Sequence, residues 1–165
     1  MELIKRNLVA AFIILLPSMI KAQINLKAPV KTADSVVINA PIERVWDALT
    51  QINQWNRRYD FIINAEVQEP LKAGDTFKWQ TTKLKIKSKL TVVNTQKQLC
   101  WKGGKYGVLV YHNWAFRVIE PNKTLLVSEE SQQGLPVRLF QKSFSKSLKE
   151  GSVKWLNQIK NYCEK

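Results

Sequence analysis

The sequence predicts an α+β fold in which a curved antiparallel sheet of about seven strands wraps around one long C-terminal helix. From residue 62 to residue 132, apolar and polar residues alternate in short segments that are separated by turn residues. After Pro136 the periodicity becomes helical and continues to Cys163. A sheet with one wet face needs a cover for its other face, and only this helix is long enough.

The chain opens with one strand and two short helices. The strand is predicted from Asp34 to Ala40, where β-branched residues are frequent. Pro41 suits the first position of a helix, and apolar residues follow it at helical spacing. A second short helix is predicted over residues 52–59. Six strands then follow, at residues 62–68, 75–81, 83–93, 98–102, 106–119 and 123–132.

The strand at residues 83–93 has the clearest alternation in the sequence. One face carries only lysines, and the other carries mainly apolar residues. The lysines are Lys83, Lys85, Lys87 and Lys89. We interpret them first as a solvated strand surface that discourages edge pairing. The alternative is an electrostatic contact with an anionic membrane surface.

The closing helix is predicted over residues 137–163. Its apolar residues share one face and are Phe140, Phe144, Leu148, Trp155 and Ile159. Gly151 and Ser152 stand where that face should meet the sheet most closely. Two interpretations remain open, because a glycine inside a helix is destabilising. The helix has a weak point between two packed halves, or it leaves room beneath itself for a ligand.

Residues 1–22 predict a secretory signal peptide. Lys5 and Arg6 precede an apolar run that ends at Leu16, which is too short to span a bilayer. Cleavage is expected near Ala22 and Gln23, which leaves an extended lead-in at residues 23–33 and one domain at residues 34–165. The protein is therefore expected in the periplasm or outside the cell. An uncleaved membrane anchor is the alternative.

Charge and cysteine content narrow the choice of partners. A net charge of +13 favours acidic partners, but the chain has no arginine-rich or glycine-aromatic motif, so we expect no nucleic acid. Neither a metal nor a cofactor is expected, since His112 is the only histidine and the two cysteines lack metal-ligand spacing. Strand alternation turns Cys100 away from the closing helix, which argues against a disulfide with Cys163 in an oxidising compartment.

Several stretches resemble a known superfamily. VVINAPIERVWDAL at residues 36–49 resembles the opening of the START-like (SRPBCC, helix-grip) superfamily. LCWKGG at residues 99–104, with His112, Thr124, Glu130 and Gly134, extends the likeness to its polyketide cyclase/dehydrase and lipid-transport branch. The resemblance covers residues 34–163. It implies a helix-grip fold with a cavity between the sheet and the last helix, without a shared catalytic residue.

Such a cavity needs apolar walls and a few polar groups. The residues predicted to line it are Trp46, Trp55, Phe77, Trp79, Trp101, His112, Trp114, Phe140, Phe144 and Trp155. Each buried indole N–H requires a partner, so six tryptophans are an unusual choice for a core alone. The alternative is that these large aromatic side chains only pack a small core.

His112 and Glu130 are the candidate polar residues. His112 has the strand parity of Trp114 and is expected to point inward, whereas Glu130 competes with Glu129 for that side. If both face inward on neighbouring strands, the pair can orient a hydroxyl or carbonyl ligand or move a proton.

Three hypotheses of function follow from these observations. The first, which we prefer, is an exported protein that holds a hydrophobic, lipid-like or aromatic ligand without changing it. The second is a cyclase or dehydratase that uses His112 and Glu130. The third is a protein-interaction module with a basic surface; a chaperone-cofactor role resembling the Hsp90-activator branch is disfavoured by the predicted export.

Overall fold

The structure is a computed structural model, and it describes residues 24–165. The predicted signal peptide lies outside these residues. The strands are β1 (Val30–Ile38), β2 (Ile62–Glu66), β3 (Thr76–Thr81), β4 (Lys85–Asn94), β5 (Gln98–Lys105), β6 (Val108–Glu120) and β7 (Lys123–Gln133). The helices are α1 (Ile42–Thr50), α2 (Trp55–Arg58), α3 (Leu135–Leu139) and α4 (Gln141–Cys163), and one 3-10 turn (Ile52–Gln54) precedes α2.

The seven strands form one antiparallel sheet in the order β1-β7-β6-β5-β4-β3-β2. Irregular pairing between Leu90 and Val92 adds a bulge, which increases local twist and bends the sheet. Helix α4 lies against β1 and extends to α1. The predicted α+β helix-grip class is confirmed. No helix within residues 24–165 has both the length and the hydropathy needed to cross a bilayer.

Four strands begin at positions that differ from the prediction, and for β3 and β6 the shift is only to Thr76 from residue 75 and to Val108 from residue 106. β1 begins at Val30 instead of Asp34, because residues 30–33 continue the pairing with β7. The extended lead-in therefore ends four residues earlier than expected. β4 begins at Lys85, so Lys83 lies in the preceding turn and not in the strand.

The single closing helix is divided into α3 and α4. Phe140 separates them with φ −121° and ψ 38°, which are not helical values. Gly134, just before α3, has φ 128°, and a β-carbon there would overlap the carbonyl oxygen of Gly107 in the β5–β6 turn. Gly134 therefore lies tightly against the β5–β6 turn. Because the helix breaks at Phe140, its side chain is 62% exposed and does not continue the apolar face of α4.

The buried face of α4 also differs from the prediction at its centre. The buried residues are Leu148, Ser152, Trp155, Leu156, Ile159 and Cys163. Ser152 occupies the centre of this face, whereas Gly151 points to solvent, with no atom within 4 Å of the β-carbon that it lacks. Gly151 therefore creates no space beneath the helix.

Gly151→Ala should stabilise the protein. The substitution adds a methyl group in open space and removes the conformational freedom of a glycine within a helix, so the free energy of unfolding should rise by about 1 kcal/mol. Urea denaturation of the two proteins measures the change. Equal or lower stability of the variant would show that Gly151 has a packing or dynamic role.

Candidate functional site

Trp55 lies at the centre of a large cluster of aromatic side chains. Its ring centroid is 5.2 Å from that of Trp155 on α4, 6.0 Å from Trp101 and 5.8 Å from Phe77. Its indole nitrogen donates to the carbonyl oxygen of Leu49 at 3.1 Å. Trp79 and Trp114 also contact Trp155. Short elements after β1 therefore place a tryptophan at the point where the sheet faces the last helix.

Most of the predicted lining residues meet in this cluster, but three lie elsewhere. Trp46 packs edge to face on Phe116, with ring centroids 5.2 Å apart. Phe144 is half-buried in a second apolar cluster with Val137 and Leu148. The prediction is wrong for Phe140, because the break between α3 and α4 turns its side chain outward.

A chain of hydrogen-bonding groups is buried beside the aromatic cluster. Pairing of β6 with β7 places His112 opposite Glu130, and its Nδ1 atom lies 3.3 Å from Glu130 Oε2. The Nε2 atom of the same imidazole lies 3.0 Å from Ser128 Oγ. Glu130 Oε1 accepts a hydrogen bond of 2.8 Å from Gln132 Nε2. Ser128, Glu130 and Gln132 alternate along β7, so they share its inner face.

Two tryptophans enclose the imidazole of His112. The Trp114 ring stacks on it at 4.5 Å, and the Trp101 ring lies 4.8 Å away at a tilt. The His112 side chain is 5% exposed and that of Glu130 is 15% exposed. The polar chain therefore lies within an apolar environment.

Burial acts against charge on both members of the pair. It lowers the pKa of His112 to about 3, so the imidazole is neutral at neutral pH. It raises the pKa of Glu130 to about 7, although the hydrogen bond from Gln132 acts in the opposite direction. The pair is thus a close contact between a neutral imidazole and a carboxyl whose pKa lies near 7, not a permanent ion pair.

Further polar residues extend this arrangement towards α4. Asp34 on β1 pairs in register with Ser128, and its carboxylate accepts hydrogen bonds from Thr32 and Lys149. Burial works to raise the pKa of Asp34, but the hydrogen bonds from Lys149 and Thr32 outweigh it and lower that pKa. We call the set Asp34, His112, Ser128, Glu130 and Ser152 the polar seam. On α4, it separates the two apolar clusters that contain Leu148 and Trp155.

Sequence reasoning did not identify Ser128, Asp34 or Ser152 as polar neighbours of His112. Ser128 could have been predicted from strand alternation, because it lies two residues from Glu130 and therefore on the same face of the strand. Asp34 depended on the register between β1 and β7, which links positions about ninety residues apart and has no local signal.

Three buried polar atoms in or near the seam have no hydrogen-bond partner within residues 24–165. They are the indole nitrogen of Trp114, which is a donor, Oε1 of Gln132, which is an acceptor, and Oγ of Ser152, which can be either. Most buried polar atoms in proteins are paired. These three are therefore groups that a polar atom of a bound molecule can satisfy.

Two surface grooves lie away from the polar seam. One of about 560 Å³ is lined by Trp46, Thr50, Gln51, Glu69, Pro70, Leu71, Val93 and Thr95. Another of about 300 Å³ is lined by Asn64, Glu66, Lys78, Trp79, Gln80, Lys85, Ile86 and Lys87. Neither groove includes His112 or Glu130.

The two cysteines lie in different environments. Cys100 Sγ lies 2.9 Å from Asn113 Oδ1, and Cys163 is buried at the end of α4. Both are free thiols, and burial raises the pKa of Cys100 to about 12 and that of Cys163 to about 11. Neither thiol is activated as a nucleophile.

Comparison with known proteins identifies the fold. The chain is similar to a hypothetical protein from Helicobacter pylori, with 19% identity over 82% of this chain and 89% of that one and a TM-score of 0.72. Zhui aromatase/cyclase from Streptomyces sp. R1128 is 12% identical over 81% and 93%, with a TM-score of 0.70. A START superfamily protein from Mycobacterium smegmatis is 10% identical over 79% and 97%, with a TM-score of 0.62. The chain therefore has the START-like helix-grip fold.

Sequence comparison adds no relative to these structures. No family model matches the chain, and no curated protein matches it. The likeness consequently identifies the architecture, and the function has to be argued from the site.

Glu130→Gln should change how stability depends on pH. The pKa of Glu130 rises from 4.5 to about 7 on folding, so between these values the folded state holds a proton that the unfolded state has lost. Stability contributed by this group therefore falls as pH rises through that window, by roughly 1.4 kcal/mol per pH unit. The variant should lack this fall and gain stability relative to wild type towards pH 7.

Urea denaturation between pH 4.5 and 8 measures this difference, with Glu129→Gln on the opposite face of β7 as the matched control. Parallel curves for wild type and Glu130→Gln would contradict the raised pKa of Glu130.

Proposed function

We propose that this protein is exported and holds a small hydrophobic ligand, lipid-like or aromatic, between the sheet and α4. Its working compartment is the periplasm or the outside of the cell. The observation that supports the proposal is the buried chain Ser128–His112–Glu130 beside a cluster of tryptophans. Binding needs no cofactor, metal or nucleic acid.

The energetics of the polar seam favour a binding role over simple packing. A buried polar group without a partner costs about 1 to 3 kcal/mol, and apolar residues of the same shape avoid that cost. The interior nevertheless keeps an imidazole and a carboxyl among tryptophans, with a donor on Trp114 and an acceptor on Gln132 still unpaired. A ligand carbonyl satisfies the Trp114 donor, and a ligand hydroxyl satisfies the Gln132 acceptor.

The apolar surroundings determine which class of ligand fits. The flat rings of Trp101 and Trp114 flank His112 and favour a planar ring or an extended hydrocarbon chain. Similarity to an aromatase/cyclase and to a START superfamily protein supports the same class. The expected ligand is therefore largely apolar with one or two oxygen atoms.

Ligand binding should change tryptophan fluorescence, because the indoles surround the seam. We expect at least one fatty acid, sterol or aromatic polyketide to bind, and its fluorescence change should saturate at one molecule per chain. Glu130→Gln should weaken the binding of that ligand by about tenfold, equivalent to about 1.4 kcal/mol, because the ligand's hydroxyl or carbonyl group contacts the carboxyl of Glu130. Glu129→Gln, on the opposite face of the same strand, should bind as wild type does.

Fluorescence titration measures each affinity, and calorimetry gives the stoichiometry. Failure of all three ligand classes to bind would contradict the proposal. Equal affinity of wild type and Glu130→Gln would show that the carboxyl of Glu130, and with it the polar seam, does not contribute to ligand binding.

A second candidate function is an enzyme of the cyclase or dehydratase type. The close approach of Ser128, His112 and Glu130 and the raised pKa of the carboxyl favour it, because a group with a pKa near 7 can donate and accept a proton. Glu130→Gln should then abolish turnover of a polyketide substrate while binding persists, as followed by mass spectrometry. Ligand recovered unchanged from wild type would exclude this alternative for that substrate.

A further inference from the structure

Exposed apolar side chains are concentrated at one end of the sheet. Antiparallel order places the β3–β4 turn, the β5–β6 turn and α3 at the same end, because Ser88 pairs with Gly103 and Leu109 with Gln133. We call this the hairpin end. Its exposed apolar residues are Leu84, Tyr106, Leu135, Leu139 and Phe140, with exposures of 43%, 76%, 69%, 67% and 62%.

Four of these side chains lie on or beside two elements that contact each other, the β5–β6 turn and α3. The β5–β6 turn touches α3, since a β-carbon on Gly107 would lie 3.6 Å from the ring of Pro136. Val137 on the opposite side of α3 is fully buried. α3 is therefore fixed to the body of the protein while Leu139 and Phe140 project from it. Large apolar side chains clustered on a protein surface usually mark an interaction site.

The same end is strongly basic. Residues 82–89, 102–109 and 133–149 contain ten lysines and arginines and neither aspartate nor glutamate. Lys146 pairs with Glu150 and Lys149 with Asp34, whereas the other eight form no ion pair within residues 24–165. Lys78 faces Lys87, and Lys89 faces Lys102, directly across neighbouring strands. Like charges at such positions repel, and an anionic partner relieves that repulsion.

We propose that the hairpin end docks on an anionic membrane surface. Leu139, Phe140 and Tyr106 insert below the headgroups, and basic residues beside them contact the lipid phosphates. These basic residues are Lys83, Lys85, Lys105, Arg138 and Lys142. A bilayer matches this surface because it offers negative charge and an apolar layer side by side along a plane. A second copy is disfavoured, since both copies would present positive charge.

The docking surface does not depend on the proposed ligand, because the surface and the polar seam share no residue. Phe140, which the helical spacing placed in the cavity, belongs to this surface. Lys83 and Lys85, the two lysines of the alternation at 83–89 that lie nearest the β3–β4 turn, also contribute to it.

Vesicle co-sedimentation tests the proposal. The purified protein is mixed with phosphatidylcholine vesicles that contain or lack phosphatidylglycerol, at low and at raised salt. Wild type should bind only the anionic vesicles, and salt should weaken the binding. The double variant Leu139→Ser, Phe140→Ser should bind the anionic vesicles at least tenfold more weakly than wild type. The matched control is Val118→Ser with Ile119→Ser, which changes exposed side chains (58% and 48%) at the opposite end of the sheet and should bind as wild type does.

Three results would overturn the docking surface. One is the absence of wild-type binding to anionic vesicles. Another is an equal loss of vesicle binding in the two double variants, once a cooperative thermal transition has shown that each is folded. The third is a dimer in size-exclusion chromatography that only Leu139→Ser with Phe140→Ser converts to a monomer, because a second copy would then occupy the surface.

Discussion

The pairing of β6 with β7 is the constraint on which the interior depends. Its register places His112 opposite Glu130 and Trp114 opposite Ser128, so all four side chains share the inner face. A slip of one residue on β7 would turn Glu129 inward and Glu130 outward, because side chains alternate along a strand. The imidazole would then lose its carboxyl partner, and Glu129 would lose the hydrogen bond from Asn113 on the outer face. Both faces of the sheet therefore select the same register.

The polar seam and the tryptophans act together. Indole rings around His112 lower the effective dielectric constant, which disfavours charge and strengthens hydrogen bonds inside the cluster. The carboxyl of Glu130 is partly exposed and holds its proton to a higher pH than an exposed glutamate does. Such a group can satisfy a ligand oxygen as either donor or acceptor. The geometry that suits orientation of a ligand thus also permits proton transfer, and only the fate of a bound molecule separates the two functions.

Local patterns predicted most of the architecture. Alternation identified the strands between residues 62 and 132, and Pro41 identified the start of α1, because both signals depend on neighbours in sequence. Phe140 was misplaced because its spacing fits the face of α4, whereas its non-helical backbone angles, which the spacing does not reveal, end α3 there. The four added residues of β1 depend on pairing with the distant β7. Asp34 became recognisable as part of the site only when that pairing was known, whereas Ser128 follows from its spacing of two residues from Glu130.

The central claim is that the interior around the polar seam holds a small apolar molecule. Native mass spectrometry of the protein purified from an exported fraction, followed by solvent extraction, tests it most directly. The account predicts one additional mass per chain, which extraction identifies as a largely apolar compound with one or two oxygen atoms. A protein that carries no such mass, and that gains none when incubated with fatty acids, sterols and aromatic polyketides, would show that the tryptophans and the seam only pack the core.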